Sequence, residues 1–239
     1  PADVAAAEVA LPPSNGIGRL LLNRPRADSQ QVPIWSKRAN RRDRTPRTGA
    51  ASGLRQPPCL YPEAMTELAD VVGAEHVLTD VGLRQGYQTD WTGRFSGDCE
   101  AVVRPGSTAQ VAGVLQWAAA NGRSVHVQGG NTGLVGGSVP AAGTRPTIIL
   151  STLRLREPLT VEGRSLIAGA GVTLGDAQRL AVKHGLVYGV DLAARDSATL
   201  GGTVATNAGG IRVCKYGMTR RQVEGIEAVL VDGTVVRRM

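Results

Sequence analysis

Residues Gln128–Pro140 read QGGNTGLVGGSVP, and a β-prone run, Ser124–Val127, leads directly into them. Two Gly-Gly pairs, Gly129-Gly130 and Gly136-Gly137, flank Asn131, Thr132, Gly133 and Leu134, with Ser138 closing the stretch. Glycine has no Cβ, so backbone N–H groups here can approach an anion closely and adopt positive φ. Those are the requirements of a pyrophosphate cradle. The spacing matches neither GxGxxG opening a helix nor GxxxxGK[ST], so a nicotinamide-type Rossmann fingerprint and a P-loop are both excluded. Taken alone, the stretch also reads as an ordinary surface loop. A second segment, Leu200–Gly210, LGGTVATNAGG, changes that balance: Thr203, Thr206 and Asn207 stand among small residues, including Gly201, Gly202 and Ala205. Such density of small side chains predicts backbone packed against a flat, extended ligand. The approach, Asp191–Ser197, adds a hydroxyl at Ser197. Together the two segments point to a dinucleotide site.

Outward from these loops the pattern is regular. Ala101–Arg104 is β-prone, and Ser107 is placed to cap a helix with Val111, Val114, Leu115 and Ala118 on one face. Asn121-Gly122 ends that helix. Thr147–Leu150 and Ser165–Ala168 read as strands, and Thr173 as the cap of a helix carrying Leu174, Ala177, Leu180 and Ala181, stopped by Gly185. Ile226–Val231, Asp232-Gly233 and Thr234–Val236 read as a hairpin with a type I′ turn. Helices and strands alternate early and strands dominate late. The predicted class is α+β, with two α/β subdomains and mixed sheets.

The chain has 239 residues and a formal charge of +7. Residues 1–60 hold ten Lys/Arg against four Asp/Glu, and residues 61–239 seventeen against sixteen. The excess belongs to the N-terminal segment, so a nucleic-acid-binding face on the main domain is not indicated. Arg24–Leu60 is rich in Arg, Pro, Ser and Gln and lacks periodicity; it is expected to be disordered. Its arginines, Arg38, Arg41, Arg42, Arg44 and Arg47, carry the non-enzyme alternative, a basic nucleic-acid-binding protein. Residues 1–61 are therefore read as a disordered or extraneous segment and 62–239 as the folded domain, with MTELADVVG from Met65 as the expected natural start. The opening at Pro1 is expected to reflect processing, trimming or an incomplete product. Cys59, Cys99 and Cys214 form an odd set without CxxC spacing, which predicts a reducing, cytoplasmic setting. No apolar run is long enough for a transmembrane helix.

Two resemblances follow. Asn15–Arg26, NGIGRLLLNRPR, resembles the opening strand of the enoyl-CoA hydratase (crotonase) family over a dozen residues, without that family's later segments; it is expected to be a remnant. The larger one runs from Tyr87 to Arg237. DWTGRFSG, VVRPGSTAQVAGVL, QGGNTGLVGGSVP, VDLAARDSATLGGTVATNAGG, KYG and VEGIEAVLVDGTVV, in that order, resemble the PCMH-type FAD-binding domain of the vanillyl-alcohol oxidase superfamily. The similarity is closest to its FAD-linked D-lactate, glycolate and D-2-hydroxyglutarate dehydrogenases. It implies that Gly129, Gly130, Asn131, Thr132, Gly133 and Leu134 hold the FAD pyrophosphate, with Gly137 and Ser138 closing the loop. Ser197, Gly201, Gly202, Thr203, Ala205, Thr206 and Asn207 would line the ribityl and isoalloxazine side, with Asp191 leading in. Ile226 would meet the adenine end, and Pro105 would shape its pocket. Relatives with covalent flavin carry a histidine in the first loop where this chain has Asn131 and Thr132, so non-covalent FAD is expected. Ala193-Ala194-Arg195-Asp196 departs from the D-2-hydroxyglutarate branch, which usually has glycine and lysine there.

The implied activity is hydride transfer from a D-2-hydroxy acid to flavin N5, giving the 2-oxo acid, with electrons passing to a quinone, flavoprotein or cytochrome. In that family a C-terminal domain grips the substrate; here it is expected to be absent and the fragment inactive. No catalytic residue is assigned. The histidines, His76, His126 and His184, have no metal-ligand spacing, and no metal is expected. The alternatives are another FAD-linked oxidase or reductase of the superfamily, or an inactive truncated product.

Overall fold

The computed structural model describes residues 17–23, 62–141 and 146–239. It places two sheets side by side, each with its own helices. In chain order the elements are β1 (Ile17–Leu21), α1 (Pro62–Val72), β2 (Val77–Leu78), α2 (Val81–Gln88), β3 (Ala101–Val103), α3 (Thr108–Ala120), β4 (Ser124–Gln128) and β5 (Thr147–Ser151). They continue with β6 (Leu159–Glu162), β7 (Ser165–Gly169), α4 (Leu174–Lys183), α5 (Leu200–Ala205), α6 (Val213–Tyr216), β8 (Val223–Val229) and β9 (Val235–Arg238).

The four-stranded sheet has the order β2-β3-β5-β4, with β3, β5 and β4 parallel and β2 antiparallel at the edge. α1 and α3 cover it, burying Leu68, Val114 and Trp117 against Val103, Ile148 and Leu150. α3 is the helix its sequence predicts: the Ser107 hydroxyl accepts from the Gln110 amide at 3.2 Å, and Asn121 and Gly122 (φ 62°) end it. β4 lies at the other edge, and its C-terminal end launches the first glycine loop, the position at which parallel sheets present ligand-binding loops.

The five-stranded sheet has the order β6-β7-β1-β8-β9 and every pairing is antiparallel, so only one of the two sheets is mixed. α4 packs on it and buries Leu174, Ala177 and Ala181 with Leu166, Tyr188 and Val190. Thr173 caps α4 by accepting from the Asp176 amide at 3.1 Å, and Gly185 (φ 66°) stops it.

Two expectations need correction. Residues 17–23 do not fall outside the folded part: β1 lies at the centre of the five-stranded sheet, and Leu20 and Leu22 are fully buried. Two buried leucines contribute about 2 kcal/mol each, and a long intervening segment hid the partnership from a reading along the chain. The β8–β9 turn is not type I′, since Gly233 has φ 86° but Asp232 is not in the positive-φ region. The Gly233 amide donates to Leu230 O at 2.9 Å and the Leu230 amide to Thr234 O at 2.8 Å, which makes a type I turn followed by a glycine bulge. Leu200–Ala205 is a short helix capped by Thr199, whose hydroxyl accepts from the Gly202 amide at 3.3 Å. The Arg24–Leu60 arm and Cys59 lie outside the described residues.

Candidate cofactor site

The two glycine segments meet where the two sheets abut. A Cβ on Gly129 would stand 2.5 Å from the Thr199 hydroxyl, and one on Gly130 would stand 1.8 Å from the Ser197 carbonyl. These two glycines are therefore demanded by loop against loop. Gly133 and Gly137 differ: an added Cβ meets nothing nearer than 3.8 Å at Gly133 and nothing within 4 Å at Gly137. They keep an open face.

Side chains hold the first loop rigid. Gln128 is buried, and its amide donates to Tyr87 O at 2.8 Å and Ser138 O at 2.7 Å, stapling the loop's closing end. Asn131 sits at φ 49°, donates to Thr89 O at 2.8 Å and accepts from the Ser138 hydroxyl at 2.6 Å. Among the described residues, the backbone N–H groups of Gly129, Gly130, Asn131, Thr132, Gly133 and Leu134 donate to no protein acceptor. A fixed loop with a run of free amides is an anion cradle, and the residues present suit a dinucleotide's phosphates.

The second segment is fixed in the same manner. Thr203 is buried and donates to Leu200 O at 2.8 Å; the Thr206 hydroxyl donates to Gly202 O at 2.8 Å. Asn207, also at φ 49°, accepts from the Arg220 amide at 3.0 Å. The hydroxyls of Thr203 and Thr206 thus serve the backbone, and α5 offers its small residues. Gly201 and Ala205 line a cavity of about 190 Å³ together with Ile226 of β8 and Gly18 and Leu20 of β1. Its lining is largely apolar, which suits a ring system.

The remaining predicted residues are spread around this centre. Ser197 is exposed at the loop contact. Asp191 is buried, with Arg195 at 3.5 Å, Arg212 at 3.4 Å and the Gln178 amide donating at 3.3 Å, so its carboxylate clamps the approach to the second segment. Pro105 is buried between β3 and α3 and lines neither this cavity nor a second one of about 180 Å³. That second cavity lies under Thr108 and Val111 of α3 and shares Ala170 and Glu227 with the first. Leu134 is 57 % exposed at the tip of the first loop.

Reading by motif missed Gln128, Thr199, Ala170, Glu227 and the β1 residues. Thr199 had a signal: a threonine three residues before Gly202 is helix-cap spacing. His126, on β4, has a buried Nε2 with no hydrogen-bond partner among the described residues. Burial holds its imidazole below the usual histidine range, against the opposing effect of hydrogen bonding to the Gly137 and Ser138 backbone. Burial pushes the free Cys99 thiol up to about 11, so it is no nucleophile. No group of three or more His, Cys, Asp or Glu among the described residues is placed to hold a metal ion. No helix among them is long and apolar enough to cross a membrane.

The model of a family described as FAD binding domain matches residues 99–238, which contain both glycine loops, α5 and the β8–β9 hairpin. The chain belongs to this FAD-binding domain family. The FAD-binding domain is also 41 % identical over 171 residues to a D-2-hydroxyglutarate dehydrogenase of Xanthomonas citri pv. viticola, covering 71 % of this chain and 36 % of the relative. A mitochondrial D-2-hydroxyglutarate dehydrogenase of Bos taurus is 39 % identical, with 67 % of this chain and 29 % of that protein covered. A D-lactate dehydrogenase of Archaeoglobus fulgidus is 42 % identical, with 56 % of this chain and 30 % of that protein covered. The chain thus spans about a third of the length of the curated relatives it matches. Among solved structures, an alkyldihydroxyacetonephosphate synthase superposes with a TM-score of 0.68 at 23 % identity, over 76 % of this chain and 37 % of that one. A 4-ethylphenol oxidase from Gulosibacter chungangensis superposes with a TM-score of 0.57 at 26 % identity, over 73 % and 34 %. The PCMH-type fold read from the motifs is the observed one, and FAD is its cofactor.

Proposed function

We propose that the chain is the FAD-binding part of an oxidoreductase that converts a D-2-hydroxy acid to the 2-oxo acid. The observation that carries this is the identity of 41 % to a D-2-hydroxyglutarate dehydrogenase across 71 % of the chain. A D-lactate dehydrogenase is similar to the same degree, so the substrate is assigned as the class, an α-hydroxy acid of D configuration. FAD, when bound, supplies the chemistry by accepting a hydride from the substrate's Cα.

The chain's own residues supply the setting. The amides from Gly129 to Leu134 hold the diphosphate, and Asn131 and Ser138 fix that loop. Gly137 lets its backbone come close. Gly201, Gly202 and Ala205 keep the α5 surface low where the cofactor passes, while Ser197, Thr203, Thr206 and Asn207 hold that surface in shape. Asp191 anchors its approach through Arg195 and Arg212, Ile226 walls the cavity, and Pro105 sets the entry into α3. The first loop presents Asn131 and Thr132 and no histidine, which supports non-covalent FAD. The electron acceptor is proposed as a quinone, flavoprotein or cytochrome, and the compartment as the cytoplasm.

The direct test joins this chain to the remaining two thirds of the Xanthomonas citri relative and mixes the flavin-loaded chimera anaerobically with D- and L-2-hydroxyglutarate and D- and L-lactate. Bleaching of the flavin by a D-acid alone supports the reading. Bleaching by neither enantiomer, with the native relative active in parallel, removes it. Acid precipitation of the loaded chain tests attachment: flavin left in the pellet would contradict non-covalent binding.

A further inference from the structure

We propose that the stretch Ile211–Arg221 is a docking surface for the electron acceptor, and that the acceptor is a protein with an acidic face. This rests on the oxidoreductase reading above and narrows its acceptor classes to a redox protein.

Charge is the first observation. Residues 61–239 hold seventeen Lys/Arg against sixteen Asp/Glu, yet residues 206–222 hold four cations, Arg212, Lys215, Arg220 and Arg221, and no anion. All four side chains are exposed. Arg212 meets Asp191 at 3.4 Å, whereas Lys215, Arg220 and Arg221 meet no carboxylate among the described residues. A close group of like charges repels itself, and an anionic partner relieves that repulsion and is drawn to it.

The cluster is also held in place. The Ile211 amide donates to Asp191 O at 2.9 Å, the Thr219 amide to Ala208 O at 2.9 Å, and the Arg220 amide to Asn207 Oδ1 at 3.0 Å. Gly217, at φ 77°, lets the stem of Arg221 lie on its backbone, since a Cβ there would stand 2.6 Å from Arg221 Cδ. Lys215 Nζ sits 5.1 Å from the centre of the Tyr216 ring. Between these cations stand Ile211, Val213 and Met218, which are 79 %, 37 % and 40 % exposed. Apolar side chains among arginines on a fixed surface have the composition of a protein interface. A lipid surface calls for a longer amphipathic helix, and α6 has only four residues. Single-stranded nucleic acid calls for open aromatic rings, and the one aromatic here, Tyr216, is half-buried beside Lys215.

Position then selects the kind of protein. The stretch is bonded to Asn207 and Ala208, the end of the second glycine segment, which is proposed to carry the flavin side of the cofactor. A partner seated on Ile211–Arg221 stands beside the end of the site from which electrons leave. In that step the reduced, two-proton form of FAD returns to FAD: one electron passes to each of two ferric haems, which become ferrous, and both protons go to water.

The test titrates the full chain, free of flavin, with the soluble haem domain of cytochrome b5, which is acidic, and with cytochrome c, which is basic. The wild-type chain is expected to bind the acidic protein alone, with a Kd that rises steeply between about 20 and 200 mM salt. Lys215→Glu/Arg221→Glu is expected to raise that Kd about tenfold or more. Arg164→Glu/Lys183→Glu, an equal change of charge at exposed positions elsewhere, is expected to leave it within about twofold. The basic residues of segment 1–60 are present in every variant, so a difference between variants reports the patch. In the FAD-loaded, dithionite-reduced chain, the same Lys215→Glu/Arg221→Glu change should slow reduction of cytochrome b5 about tenfold with FAD content unchanged. Equal Kd values in wild type and Lys215→Glu/Arg221→Glu, or equal loss in the control pair, overturn the proposal. So does retention on phosphatidylglycerol vesicles with no binding of cytochrome b5, which would make the patch a lipid-binding surface. Binding that leaves the electron-transfer rate unaffected by Lys215→Glu/Arg221→Glu overturns the acceptor role. Failure of the wild-type chain to retain FAD removes the glycine-loop reading instead, while the flavin-free titration still decides the docking surface. If the charge-reversed variant does not fold, hydrogen exchange on the wild-type chain decides: the amides of residues 211–221 are expected to slow when cytochrome b5 is bound, and unchanged exchange there overturns the proposal.

Discussion

At the scale of single residues, glycines that look alike in the sequence do different work. Gly130 is required by the Ser197 carbonyl, a backbone atom that cannot rotate away, whereas Gly137 faces open space. Gly130→Ala is therefore expected to lower stability by about 1–3 kcal/mol through overpacking and to lose FAD uptake with it. Gly137→Ala should leave the denaturation midpoint unchanged and weaken FAD binding alone. Paired chemical denaturation and FAD titration of both variants would separate the roles; equal loss of stability in both would refute the distinction. His126 supplies a residue-scale pH effect. Its folded-state pKa is lowered by burial, so the unfolded chain takes up the proton more readily. Stability contributed by the neutral ring is then present above the unfolded value, about 6.5, and is lost as pH falls below it. The melting temperature is expected to decline between about pH 6.5 and 5, and the decline should be shallower in His126→Gln. An identical pH profile in the variant would show that the decline arises elsewhere.

At the scale of elements, caps fix the helices more firmly than propensity does. Thr173 and Asp176 bond reciprocally, the Asp176 amide donating to the Thr173 hydroxyl at 3.1 Å and that hydroxyl to the Asp176 carboxylate at 2.8 Å. Arg179 and Arg156 also meet this carboxylate, at 2.6 Å and 2.7 Å. The Arg179 hydrogen bond, then that of Thr173, holds the Asp176 carboxyl below its usual range. Thr173→Ala is expected to cost about 1 kcal/mol in denaturant unfolding. Because the folded pKa is depressed, the Asp176 contribution is present above the unfolded value near about 3.9 and is lost as pH falls through the folded one. In Asp176→Asn, that acid-side loss of stability should shrink; an unchanged acid limb would contradict the assignment. These caps also explain what a reading of the chain could see. Ser107, Thr173 and Gly185 mark α3 and α4 because capping is local, and the two glycine segments are legible because close approach leaves a compositional trace. The β8–β9 hairpin was legible but its turn was not, since Asp-Gly fits both a type I′ turn and the bulged turn that the strands select here. β1 was invisible as part of the domain: nothing local in IGRLL says that its partners are β7 and β8, more than a hundred residues away. For the same reason the wall containing Gly18 could not be read, while the cradle of Gly129–Leu134 could.

At the scale of the whole molecule, the proposed cofactor site lies across the join of two sheets, so cofactor binding and the coupling of the sheets are expected to be one property. The proposed phosphate cradle hangs from the four-stranded sheet, and the apolar cavity belongs to the five-stranded sheet and α5. Between them runs a buried polar link: Thr108, at the start of α3, donates to Glu227 of β8 at 2.7 Å, and that carboxylate also accepts from Arg237. Removing a donor to a buried carboxylate costs roughly 1–3 kcal/mol, and this donor crosses from one sheet's layer to the other's. Thr108→Val keeps the shape and deletes the hydroxyl. Native-state hydrogen exchange reads the two sheets separately, because Ile148–Leu150 in β5 and Leu166 and Ala168 in β7 are deeply buried. In the wild-type chain the two sets of amides are expected to share one opening free energy. In flavin-free Thr108→Val they should diverge, and FAD, by gripping both sheets, should bring them back together. FAD at about a hundred times its Kd stabilises the folded state by roughly 2.7 kcal/mol, enough to offset the lost hydrogen bond. Coincident opening in flavin-free Thr108→Val would mean that Gly129 and Gly130 against the α5 loop already suffice to couple the sheets. Divergence that FAD fails to repair would mean that the ligand is held by one sheet alone, and a site spanning both would have to be given up.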